Sequence, residues 1–113
     1  MKTIEGFLET LRENPVYVEE FSTREDVFRN FAKADEADIE ILYASYIFYD
    51  YDGSASVVYY RKSTGKYYEV YGGHCSCYGL EGQWEKDEEI VAVELVNRLA
   101  GLGALYAEYM KEI

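Results

Sequence analysis

The sequence predicts an α+β fold: an antiparallel three- to four-stranded β-meander packed against N-terminal helices and a C-terminal helix. Three observations predict it. Apolar residues recur at helical spacing near both ends of the chain. Residues 39–71 are instead rich in β-branched and aromatic side chains and are interrupted by two turn signals. The order α-α-β-β-β-α segregates helices from strands, and amphipathic helices then have to cover the apolar sheet. The 113 residues fit one domain. Its stretches read as helical (1–38), β-meander (39–71), an irregular Cys/His segment (72–86) and a final helix (87–113).

Each element has a local reason. Ile4, Phe7, Leu8 and Leu11 form one stripe, so residues 3–14 read as a helix with Thr3 as N-cap and Asn14-Pro15 as its end. Val16-Tyr17-Val18 reads as a short extended segment. Ser22 followed by Glu25 fits a capping box, opening a second helix that runs to about Ala34 with Val27, Phe28 and Phe31 on one face. Asp35-Glu36-Ala37-Asp38 is an acidic connector. Strands follow at 39–49, 55–61 and 66–71, separated by turns at 50–53 and 62–65. The first strand is apolar on both alternating faces, as in a strand covered on both sides. From Asp87, Ile90, Val91, Leu95, Leu99, Leu102, Leu105, Tyr106 and Tyr109 mark the last helix. Gly101 and Gly103 within it either bend it or admit a close neighbour.

Composition narrows the function. Apolar residues make up 49% of the chain, enough for a packed core. Eleven basic residues stand against 22 acidic ones, net −11. That charge repels phosphate backbones and anionic membranes, so neither direct nucleic-acid binding nor membrane binding is expected. What remains is a basic protein surface, a cation or an uncharged ligand. The first residues hold no signal-peptide apolar stretch, and no apolar run approaches the ~20 residues that span a bilayer. With only two cysteines, the expected location is the cytoplasm.

The only histidine and both cysteines fall in His74-Cys75-Ser76-Cys77. Zinc takes thiolate and imidazole ligands, usually four. His74, Cys75 and Cys77 are therefore candidate metal ligands, with a fourth from Glu81, Glu85 or a partner. The spacing matches no standard zinc pattern. The competing reading is a tight turn with packed cysteines and no cofactor. The stretch Gly73-His74-Cys75-Ser76-Cys77-Tyr78-Gly79-Leu80-Glu81-Gly82-Gln83-Trp84-Glu85 resembles a segment of small uncharacterised proteins encoded by tailed bacteriophages. Those also place it after a β-hairpin and often follow Trp-Glu with Pro, where this chain has Lys86. The resemblance covers about residues 50–86 and implies phage origin without an activity.

Tyrosine and acid carry the remaining signal. Of 13 tyrosines, eight lie from Tyr43 to Tyr68. Simple alternation puts Tyr43 and Tyr49 on the face of Ile41 and Ile47, with Tyr46 opposite. One member of each pair at 59–60 and 67–68 should face outward. Tyrosine is rigid and amphipathic, which suits interfaces. Residues 1–52 carry net −8, residues 53–80 net +2 and residues 81–113 net −5. The acid thus belongs to the helical parts. Tyr46, Tyr49, Tyr51, Tyr60, Tyr68 and Trp84 are the candidate anchors, and Glu19, Glu20, Asp35, Glu36 and Asp38 the candidate steering charges.

Catalytic patterns are missing. Asp50-Tyr51-Asp52-Gly53 places its glycine wrongly for a calcium loop. There is no phosphate-binding glycine loop, GxSxG or HExxH. The expectation is a non-catalytic inhibitor or modulator of a host nucleic-acid-handling or antiviral-defence protein, acting by nucleic-acid mimicry. The alternatives are a metal-binding or ligand-sequestering protein and a homo-oligomeric structural protein.

Overall fold

The computed structural model describes residues 3–49, 52–74, 79–98 and 100–111. Helix α1 (Ile4–Glu13) forms over its apolar stripe, with the Thr3 hydroxyl accepting from the Gly6 N–H at 3.0 Å and Asn14 as C-cap. Strand β1 (Val16–Glu19) follows directly. Helix α2 (Arg24–Asn30) starts one residue later than the Ser22/Glu25 reading places it. Thr23 is the N-cap and forms a reciprocal capping box with Asp26. The Asp26 carboxylate accepts from the backbone N–H of both Ser22 (3.0 Å) and Thr23 (3.3 Å), a reach that Glu25 does not share.

Helix α2 is also shorter than the expected run to Ala34. It closes in a Schellman motif: the Ala32 N–H bonds to the Arg29 carbonyl (3.1 Å) and the Lys33 N–H to the Phe28 carbonyl (2.9 Å). Ala32 sits at φ +53°, where glycine is the usual occupant.

The sheet has five strands in the order β1-β2-β3-β4-β5, with β2 (Ile39–Tyr49), β3 (Asp52–Arg61), β4 (Lys66–His74) and β5 (Glu88–Ile90). It is mixed rather than purely antiparallel, because β1 runs parallel to β2 while the other pairs are antiparallel. The expected meander is its centre, but β3 starts at Asp52, inside the expected turn at 50–53, and β4 runs on to His74, into the stretch expected to be irregular. Its two edges come from segments with weak strand signals. Val16–Glu19 becomes a strand because α2 supplies the crossover a parallel pair needs. Glu88–Ile90, expected in the last helix, pairs with Tyr67–Glu69. That helix begins instead at Ala92 and is divided into α3 (Ala92–Arg98) and α4 (Ala100–Lys111). A Cβ on Gly103 would lie 3.2 Å from the Val96 carbonyl oxygen, so this glycine lets α4 press against α3.

A β-bulge sets which side chains share a face. Ile41 pairs with Tyr59 and Tyr43 with Val58, so Leu42 is an extra residue in β2. The parity of side chains reverses there. Ile39, Ile41, Ala44 and Tyr46 share one face, while Leu42 and Tyr43 lie on the other. Simple alternation puts Ile41 on the face of Tyr43; the bulge moves it to the face of Tyr46, while Tyr43 and Tyr46 stay on opposite faces as alternation places them.

Both faces are covered. On one, Phe21, Val27, Phe28, Phe31, Leu80 and Trp84 pack on β2, β3 and β4. On the other, Phe7, Leu8 and Leu11 of α1 join Leu95, Val96 and Leu102 of α3 and α4. Tyr59 is fully buried between Tyr68 (ring centroids 5.3 Å apart) and Trp84 (5.2 Å), both nearly parallel to it. Its hydroxyl donates to the Asp87 carboxylate. Burial first, and that carboxylate second, raise the Tyr59 pKa well above its ordinary value. Among the described residues, no helix is long and apolar enough to cross a membrane.

The Schellman position gives a direct check on this packing. A non-glycine residue in the left-handed region costs about 1–2 kcal/mol. Ala32→Gly should therefore stabilise the protein by about 1 kcal/mol in urea unfolding, less the entropy glycine adds to the unfolded chain. A destabilisation of similar size would mean that the helix does not end in this motif.

Candidate protein-docking site

The residues marked by the sequence divide into three groups. Asp35, Glu36 and Asp38 lie on the connector before β2 and are committed to structure. Arg24 makes a bidentate contact with Asp35 (2.7–3.1 Å) and donates to the carbonyls of Ile39 (2.8 Å) and Glu36 (2.7 Å). Glu36 pairs with Lys33 and Arg61. Asp38 accepts from Arg61 and from the Ser63 hydroxyl and backbone N–H. All three carboxyls are held below the ordinary carboxylate range, principally by Arg24, Lys33 and Ser63 respectively. They pin α2 to the start of β2, so their charge is largely neutralised.

The second group is buried. Trp84, expected at a partner surface, is 7% exposed and belongs to the core. Its indole packs against Phe28, Phe31 and Tyr59. The indole N–H is buried and finds no acceptor among the described residues. Tyr46 is 8% exposed and packs on Phe21. Tyr60 and Tyr68, expected to point outward from their pairs, are only half-buried. Tyr60 lies beneath the Arg12 guanidinium (3.7 Å to the ring centroid) and Tyr68 against Tyr59. Because both faces carry a helical layer, no member of either pair faces open solvent.

The third group meets at one end of the sheet. Strand β1 stops at Glu19, which pairs with Tyr46. Glu19 takes φ +60°, and the Glu20 N–H donates to the Tyr46 carbonyl at 3.0 Å as the last link between the two strands. Strand β2 continues three residues further, through Ile47 (53% exposed), Phe48 (51%) and Tyr49 (80%). These three are consecutive, apolar or aromatic, and uncovered. Glu19, Glu20 and Asp52 are exposed around them and form no ion pair among the described residues. Phe48 contacts the His74 ring at 5.6 Å between centroids, and the Tyr46 hydroxyl shares a hydrogen bond with His74 Nε2. Gly53 is required opposite them, because a Cβ there would land on the His74 imidazole. Burial raises the Tyr46 pKa, and the nearby Glu20 and Glu81 carboxylates add to the effect. The site is thus an apolar strip with an acidic rim.

Phrases of sequence did not single out Ile47 and Phe48. Alternation predicted a covered strand, and only the length of β1 shows where the cover ends. Tyr51, Cys75 and Cys77 lie outside the described residues. His74, the remaining candidate metal ligand, faces Tyr46 and Phe48. Among the described residues, no three metal-ligating side chains are grouped.

The rest of the Gly73–Glu85 motif closes the fold. The Gln83 amide accepts from the Gly73 N–H (2.8 Å) and donates to the carbonyls of Gly73 and Gly79 (both 3.0 Å). Leu80 and Trp84 then fill the core on that face. A cleft of about 590 Å³ lies elsewhere, beside the start of β2, but its Arg12 and Arg24 already pair with Glu40 and Asp35. Comparison with protein-family models, curated proteins and solved structures finds no match to this chain.

The neutralised group predicts a pH response. The pKa values of Asp26, Asp35, Glu36 and Asp38 are lower in the folded state, so the unfolded chain binds more protons in acid. Their stabilisation is present above the ordinary carboxylate range and is lost as pH falls through the folded values. Tm should therefore fall steadily below about pH 4.5. Arg24→Gln should lower Tm at neutral pH and make the acid dependence shallower. An unchanged slope in that variant would show that Asp35 is not held by Arg24.

Proposed function

We propose that this chain is a non-catalytic acidic binding protein that docks on a basic surface of a host protein through the projecting end of β2. The observation that carries the reading is the exposure of Ile47 and Tyr49 on one face of the projecting strand end and of Phe48 on the other, beside acids with no cationic partner among the described residues. Aromatic side chains that fill pockets dominate interface energies, and unpaired charge speeds encounter with an oppositely charged partner. The net charge of −11 acts at longer range in the same direction.

Glu19 adds a second support. An acidic side chain holds a left-handed backbone position that glycine or asparagine would occupy at lower cost. Strain of this kind is retained where the side chain has a task.

The finer reading is a phage-encoded inhibitor or modulator of a nucleic-acid-handling or antiviral-defence protein. It rests on the resemblance of residues 50–86 to phage proteins and on the acid-rimmed aromatic strip, whose carboxylates would stand for phosphates and whose rings for bases. The cytoplasm of the host cell is the compartment this reading requires.

The test is affinity capture from bacterial lysate at ~50 mM and ~300 mM salt, since screening weakens exposed charge pairs. Wild-type protein should retain one basic protein more strongly at the lower salt. The Phe48→Ser/Tyr49→Ser double variant should lose at least nine tenths of that capture while keeping its Tm, because both side chains are outside the core. Equal capture by the double variant would remove the strip from the interface, and equal capture at both salts would remove the charge.

A further inference from the structure

We infer that the outer edge of β2 at Ile47–Tyr49 is a strand-addition site, where a cationic extended strand of the partner protein pairs with the sheet. The inference rests on the docking surface proposed above and adds the mode of recognition.

The backbone geometry leads to it. The Tyr46 carbonyl faces β1, since it accepts from the Glu20 N–H. Along a strand the peptide groups of alternate residues face the same side. The N–H and C=O of Phe48 therefore face the side that β1 has just left. On the inner side, every residue from Tyr46 to Tyr49 has a register partner in β3. No strand lies beside residues 47–49 on that outer side among the described residues. Phe48 consequently offers one donor and one acceptor on an edge with exposed side chains above and below it.

Natural proteins usually blunt such an edge with lysine, proline, a bulge or a covering loop. The opposite end of β2 shows this treatment: Arg24 donates to the Ile39 carbonyl, and the bulge at Leu42 follows. The end at Phe48 has neither device. Its neighbours Glu19, Glu20 and Asp52 are all acidic. A second copy of this chain would bring the same acids into contact with themselves at net −11 per chain, so charge complementarity selects a lysine- or arginine-bearing strand. In this mode main-chain bonds supply affinity and alternate side chains supply specificity.

The probe is a short fluorescent peptide alternating lysine and valine, compared with the same peptide N-methylated at alternate residues so that it cannot complete a ladder. Anisotropy should show the plain peptide binding the wild-type protein at ~50 mM salt, with at least tenfold weaker binding of the methylated one. Phe48→Pro removes the outward N–H together with the Phe48 ring, and proline is tolerated on strand edges, so this variant should fold and bind the plain peptide at least tenfold more weakly, with the methylated peptide separating the backbone contribution from that of the ring. Amide shifts on titration should centre on Glu19, Glu20 and Ile47–Tyr49. Equal binding of the two peptides would overturn strand addition while leaving the acidic docking surface standing. No binding of the plain peptide, shifts centred elsewhere, or a dimer through this edge in sedimentation would each overturn it as well. The peptide comparison needs only wild-type protein, so the test holds even where Phe48→Pro does not fold.

Discussion

The central strands of this protein have no polar face. Val57 and Val58 are neighbours in β3 and both are fully buried, one beneath each helical layer. A sheet built from such strands must be covered twice, and the remaining chain is arranged to do so. The segment from Phe21 to Phe31 with the Leu80–Trp84 plug covers one side, and α1, α3 and α4 cover the other. Burying a side chain such as Leu8 or Leu95 contributes about 1.5–3 kcal/mol, so neither layer is dispensable. The cover has a finite length, and β2 is longer than it. The exposed strip at Ile47–Tyr49 is the direct consequence.

Charge follows the same division. Where acids lie between elements they are neutralised, as in the Arg24, Lys33 and Arg61 network that holds the connector to α2 and β2. Where the sheet outruns its cover they are left unpaired among the described residues. The described part of the motif that carries the candidate metal ligands also closes the fold. Gln83 extends the hydrogen bonding of β4 with its side-chain amide, and Leu80 fills the space above Gly72, where a Cβ would come within 2.9 Å of it.

Much of the architecture was legible in the chain. The stripe of α1 with its Thr3 cap and Pro15 stop, the α+β class and the three central strands all follow from local spacing. What was not legible depended on distant partners. Val16–Glu19 and Glu88–Ile90 carry too few residues to announce a strand, and each becomes one only because a long neighbour offers an edge. The Leu42 bulge leaves no local mark, yet it decides the faces of every later residue in β2. It therefore puts Ile41 on the face of Tyr46 rather than on that of Tyr43. The exposed end of β2 depended on the same information, since its exposure is set by where β1 ends.

The most direct measurement is amide hydrogen exchange resolved at single residues. The Phe48 amide, aimed at the open edge, should exchange far faster than that of Ile47, which points to β3 one residue away. The amides of Val57 and Val70, inside the doubly covered sheet, should exchange only through global unfolding. Protection of Phe48 equal to that of Ile47 would show that this edge is already covered, and the docking account would fail.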